Sequence, residues 1–142
     1  MRRTVLPMCA LAAVAACSAN EPPAAATAAA ALSTVAGLSI AAGERIYAAN
    51  CVPCHQQGGQ GIPGVYPAMS GSAVVLGNPK ELARWVIKGQ RPASMPAGRY
   101  PSVMLQFGWM KPADAAALFC YLRTNFGNAA APVDAATVEQ AL

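Results

Sequence analysis

Cys51-Val52-Pro53-Cys54-His55 places two thiols and one imidazole within a single short stretch. At this spacing both sulfurs can form thioethers to the vinyl groups of a porphyrin while the adjacent imidazole turns under the ring and ligates the iron. His55 is the one histidine of the sequence, so a second protein ligand to such an iron has to be another residue type. Two other chemistries use a C-x-x-C pair. A thioredoxin-like redox pair needs strands around a βαβ unit, and no convincing run of strand alternation occurs here. A structural zinc site needs four ligands, and Cys120 is the one further thiol in the same part of the chain. Covalent haem attachment is the chemistry these residues favour.

The elements that must position them lie in the second two thirds of the chain. The sequence has 142 residues, room for one domain, and much of its apolar fraction is alanine near the two ends. All the aromatic residues fall after residue 46, which puts the core there. A packed unit of about 90 residues buries a modest share of its surface and often leans on a cofactor, metal or disulfide.

Residues 1–16 read as an export signal: Arg2 and Arg3 form the charged start, and Val5 to Ala16 form an apolar run too short for the about 20 residues that span a bilayer. Val14-Ala15-Ala16-Cys17 resembles a bacterial lipoprotein box, in which Cys17 becomes the acylated N-terminus. Several acyl chains at about 0.8 kcal/mol per buried CH₂ make such an anchor effectively permanent. Ordinary cleavage after small residues is the alternative and leaves a soluble periplasmic protein. Residues 17–37 carry alanines, Glu21-Pro22-Pro23 and little to bury, as expected of a tether confining the domain to the periplasmic side of a membrane. Cys9 leaves with the signal, and Cys120, inside a helical pattern, reads as a buried, inert thiol.

The domain is expected over residues 38–128, with 129–142 as a C-terminal tail. Ser39 can cap an opening helix on which Ile40, Gly43, Ile46 and Tyr47 share one face, and this helix runs directly into Cys51. Gly43 costs about 1 kcal/mol in a helix, which a close crossing with another helix would explain. The partner is the last helix, Pro112 to Asn125, with Asp114 near its start and Arg123 near its end, each complementing the helix dipole, and Gly127 after it. Between them Asn78 caps a helix that Pro79 opens, Leu82, Trp85 and Val86 line, and Gly89 stops.

Gly43-Glu44-x-x-Tyr47 before C-x-x-C-H, the loop Gly58 to Pro67, Phe107-Gly108-Trp109, Tyr121-Leu122-Arg123 and Phe126-Gly127-Asn128 together resemble the class I c-type cytochromes, in particular those associated with periplasmic alcohol and sugar dehydrogenases. The resemblance implies an all-α fold of three main helices and irregular loops around one covalent haem c. It also implies thioethers at Cys51 and Cys54, His55 on the iron, Trp109 in the haem pocket, and a proline carbonyl orienting the imidazole, for which the matching position is Pro63.

With histidine excluded, a methionine thioether is the best soft sixth ligand, and Met69, Met95, Met104 and Met110 are available. Met69 and Met110 read as packing residues. Met95 has the Met-Pro form frequent among the resembling sequences, whereas Met104 stands where they place the ligand, three residues before Phe107-Gly108-Trp109. Met104 is favoured, with Met95 as the alternative.

Without Arg2 and Arg3 the formal charge falls from +4 to +2, while residues 38–128 hold eight basic side chains against Glu44, Glu81 and Asp114. A basic rim would steer an acidic redox partner, although Lys80, Arg84 and Lys88 also suit a solvated helix face. Arg91, Arg99 and Trp109 are candidates to reach the haem propionates. Nucleic-acid binding is disfavoured, since export removes the partner and no basic–aromatic strip occurs. The function implied is electron transfer without substrate chemistry, from a dehydrogenase or quinol-oxidising complex to an oxidase or reductase. The alternatives are a tightly bound cytochrome subunit of a dehydrogenase and a gas-binding haem sensor. Membrane fractionation with haem staining tests anchor and cofactor together: Cys17→Ala is expected to move the stain from the membrane to the soluble fraction.

Overall fold

A computed structural model describes residues 39–95 and 97–142. The expected signal and tether, with Cys17, lie outside the described residues. Helix α1 covers residues 39–50, with Ser39, expected as its cap, already helical. Gly43 and Tyr47 are buried and Ile40 and Ile46 pack against the core, so the face expected from the sequence is the buried one. Its crossing partner is α5, Pro112–Thr124. A Cβ at Gly43 would lie 2.1 Å from the Ala117 carbonyl oxygen and 2.8 Å from the Tyr121 Cβ, so the two backbones meet only because this position has no side chain.

Helix α4, Pro79–Lys88, is punctuated as its sequence implies: Asn78 Oδ1 accepts from the Lys80 N–H at 2.9 Å, and Gly89 ends it at φ 68°. Leu82 and Val86 are buried, and Trp85 is half-buried beside them. Three short helices complete the set: α2, Val52–His55; α3, Ala73–Leu76; and α6, Ala135–Glu139. Among the described residues there is no strand, only an isolated bridge between Ile62 and Tyr66. The architecture is all-α, three main helices and irregular loops.

Residues 129–142, read from the sequence as a tail, are packed into this unit. Val133, Val138 and Ala141 belong to the buried core, and Val138 has no exposed surface at all. Asp134 Oδ1 caps α6 by accepting from the Thr137 N–H at 2.6 Å. The Cys120 thiol donates to the Val133 carbonyl at 3.2 Å and accepts from the Val133 N–H at 3.3 Å, so this thiol is buried as expected and also holds the segment in place. Arg123 is buried rather than left at the surface of the α5 terminus. It donates to Ala131 O at 2.7 Å, Val75 O at 2.6 Å and Gly77 O at 3.0 Å, joining α5, α3 and the C-terminal segment. Carbonyl dipoles thus replace the water that a buried guanidinium loses.

The same packing engages the basic residues of α4. Lys80 Nζ donates to Gln140 Oε1 at 3.1 Å, Arg84 Nε to Ala141 O at 3.2 Å, and Lys88 Nζ to Leu142 O. At a spacing of four they form one stripe, and that stripe faces the C-terminal segment. Helix α5 is buried at every position from Ala115 to Arg123, which requires cover on the side away from α1; α6 supplies it. Val138→Ala is therefore expected to lower the free energy of unfolding by about 2 kcal/mol, measured by urea denaturation of the holoprotein. An unpacked tail would leave stability within about 0.5 kcal/mol of wild type.

Candidate functional site

The chain passes from α1 into α2 without a break: the Cys51 N–H donates to Tyr47 O at 2.8 Å, and the His55 N–H donates to Cys51 O at 2.8 Å. One helical turn places residues at i, i+3 and i+4 on one side, so Cys51, Cys54 and His55 are presented together while Pro53, within the first turn of α2, needs no intrahelical donor. Cys51 and His55 are buried and Cys54 is partly exposed. Burial, with Cys54 nearby as a smaller cause, pushes the Cys51 thiol up to about 11, so it is neutral in the haem-free chain.

His55 Nδ1 lies 2.9 Å from the Pro67 carbonyl oxygen. A carbonyl only accepts, so Nδ1 carries the proton and Nε2 keeps its lone pair. Burial holds the imidazole below its ordinary value, opposed in smaller measure by this hydrogen bond, so the neutral, ligating form is favoured. The accepting carbonyl is not Pro63. The loop reverses on itself between Ile62 and Tyr66 through Ile62 N to Tyr66 O at 3.0 Å and Tyr66 N to Ile62 O at 2.8 Å. Pro63 sits exposed at the tip of this reversal, while Pro67, after it, returns to the histidine. Gly61 permits the return: its φ is 64°, and a Cβ there would lie 2.4 Å from Tyr66 O.

His55 opens onto two adjoining cavities of about 410 Å³ each, which share Cys51, Pro67, Trp85, Met95, Met104 and Phe107 in their walls. Leu82, Val86, Leu118 and Leu122 supply apolar wall from α4 and α5, and Met69 and Met110, both buried, pack there as the sequence implies. Met95 and Met104 both face this space, and Met104 also packs against the core. Its segment is tied to α4 by the Phe107 N–H donating to Val86 O at 3.0 Å. Arg91 stacks over Trp85 at 5.5 Å and Arg99 over Tyr100 at 5.8 Å, giving the cavities a basic, aromatic margin.

Trp109 does not line the pocket: it is 67% exposed and meets Phe107 edge-on, at 6.2 Å between ring centroids. Phe107, two residues earlier, is the wall residue, because the backbone bond at Phe107 turns that side chain inward and carries the chain outward again before α5. Tyr47 and Asn128, each the last residue of a motif in the sequence, make polar contacts that the motifs do not reveal. The Tyr47 hydroxyl donates to Gln56 O at 2.7 Å. The Asn128 side chain, buried, donates to Met69 O at 3.1 Å and Leu122 O at 2.8 Å and accepts from the Gly71 N–H at 2.9 Å, tying the pocket loop to the end of α5. Burial raises the Tyr47 hydroxyl well above its ordinary value and keeps it a donor.

A pocket of this shape, with two thiols and one neutral imidazole on one wall, thioethers within reach and an apolar lining, fits a covalently bound haem. The family model for cytochrome c matches residues 40–126. The chain is 34% identical over 97 residues to a cytochrome c-552 of Thermus thermophilus, covering 65% of this chain and 65% of that protein. It is 34% identical over 92 residues to a second Thermus thermophilus cytochrome c-552, covering 61% of this chain and 70% of that one. The aligned stretch thus spans just under two thirds of the first relative's length.

Proposed function

Because the chain belongs to the cytochrome c family, whose cofactor is a covalently bound haem c with Cys51 and Cys54 at the attachment position, we propose that it is a single-electron carrier whose haem iron would be held by His55 and Met104. When bound, the haem supplies one-electron chemistry, its iron passing between Fe(III) and Fe(II). The protein's own contribution begins at His55, whose Nδ1 proton is held by Pro67 so that Nε2 is aimed at the cavity. The Met104 thioether, as an iron ligand, would favour the reduced state. The walls that α4 and α5 present to this space are apolar, through Leu82, Val86, Leu118 and Leu122. Arg91 and Arg99, at the cavity margin, are suited to neutralise the haem carboxylates.

The observation that carries this reading is that the one imidazole of the sequence and the methionines line the same, mainly apolar space. Met104 is chosen over Met95 because it packs against the core on a segment fastened to α4. A ligand held in this way keeps its place through a change of oxidation state. Val103 and Leu105, on either side of Met104, are 89% and 75% exposed beside the cavity, an apolar margin through which a redox protein can dock close to the haem.

The setting proposed is the periplasmic side of a bacterial membrane, with an acylated Cys17 as anchor. The donor would be a dehydrogenase or quinol-oxidising complex and the acceptor an oxidase or reductase. The same apolar margin favours, as a second reading, a lasting place as the cytochrome subunit of such a dehydrogenase. Among the described residues no helix is long and apolar enough to cross a membrane. Optical spectra of the purified holoprotein test the ligand set. Met104→Ala is expected to lose the methionine–iron absorption band and Met95→Ala to keep it, and the reverse would move the ligand to Met95. Tight carbon monoxide binding to the reduced wild-type protein at neutral pH would contradict a six-coordinate carrier.

A further inference from the structure

The chain leaves α2 at Gln56 with φ 64° and ψ 158°, a region of backbone space that is nearly reserved for glycine. A glutamine persists there only if its surroundings hold it. Three hydrogen bonds do so: Gln56 N donates to Val52 O at 2.9 Å, and Gln56 O accepts from the Gly59 N–H at 3.0 Å and from the Tyr47 hydroxyl at 2.7 Å. The first only continues the helical ladder of α2 and the second lies within the loop and travels with it. Tyr47 is different, because its ring is buried in the α1–α5 crossing, 5.6 Å from Tyr121 and 5.1 Å from Phe126 between centroids.

From this reversal the loop runs to Gly61, whose N–H donates to His55 O at 2.9 Å, and on to Pro67. If Gln56 took helical angles, its carbonyl would point away from Tyr47 and the loop would leave in another direction. We infer that the Tyr47 hydroxyl is a positioning group for the axial histidine, because by holding the Gln56 carbonyl it fixes the turn that brings Pro67 back onto His55 Nδ1. The inference rests on the reading of His55 as iron ligand. A weaker Nδ1 hydrogen bond makes the imidazole a poorer donor to the iron and disfavours the ferric state.

The test uses reduced, isotope-labelled holoprotein. A wild-type spectrum without a haem-shifted His55 ring would defeat the ligand reading itself and overturn this inference with it, before any variant is compared. Given that ring, Tyr47→Phe keeps the aromatic packing and removes only the hydroxyl. Exchange of the His55 Nδ1 proton with solvent is expected to become about tenfold faster, the consequence of losing one net hydrogen bond, and the midpoint potential to rise. Adding Gln56→Gly, which adopts the turn without strain, is expected to return both readouts most of the way to wild type. If Tyr47→Phe alone yields no holoprotein, recovery of holoprotein in the double variant supports the same role. Wild-type exchange and potential in Tyr47→Phe overturn the inference, as does a double variant that restores nothing.

Discussion

The hydrogen bond from His55 Nδ1 to the Pro67 carbonyl is the constraint on which this structure depends. With one histidine in the chain, one ring has to be neutral, in a single tautomer and aimed at the pocket. A backbone carbonyl meets all three needs at once, since it can only accept and cannot titrate. The cost is topological. A segment following the histidine must double back to it: the stretch between them is rich in glycine, reverses between Ile62 and Tyr66, and is pinned from outside by Tyr47 at Gln56, while Asn128 holds Met69 and Gly71 just beyond Pro67.

Those pins connect the pocket to the rest of the fold. Tyr47 sits where α1 and α5 cross at Gly43, and Asn128 follows the end of α5. Helix α5 is covered by α1 on one side and by the C-terminal segment on another, with Cys120 and Arg123 as polar fasteners inside the apolar packing. Among the described residues every buried side-chain nitrogen or oxygen has a hydrogen-bond partner. That satisfaction matters in a small unit, where a single orphaned polar group costs about 1–3 kcal/mol.

Local signals were legible in the sequence where one residue type has one mechanical meaning. Gly43 pointed to a close crossing, Asn78-Pro79 and Gly89 to the ends of α4, and the C-x-x-C-H spacing to three side chains on one turn. Choices between similar residues a few positions apart were not legible. Pro63 and Pro67 differ only by which side of a reversal they occupy, and Trp109 and Phe107 by a backbone bond to Val86 that no pattern records. The segment 129–142 resembled the alanine-rich tether in composition. The counter-signal was α5 itself, apolar on faces that α1 could not cover, together with Asp134 before a helical run. The contacts of the stripe Lys80, Arg84 and Lys88, which suited a solvated helix face, were not legible because its acceptors are main-chain and side-chain oxygens more than 50 residues away.

A trans-hydrogen-bond scalar coupling tests the central interaction most directly, measured in reduced holoprotein labelled with ¹⁵N in histidine and ¹³C at the proline carbonyls. Coupling between His55 Nδ1 and the Pro67 carbonyl carbon is the predicted result. Coupling to Pro63 instead, or an Nδ1 proton that exchanges freely with water, would contradict the account.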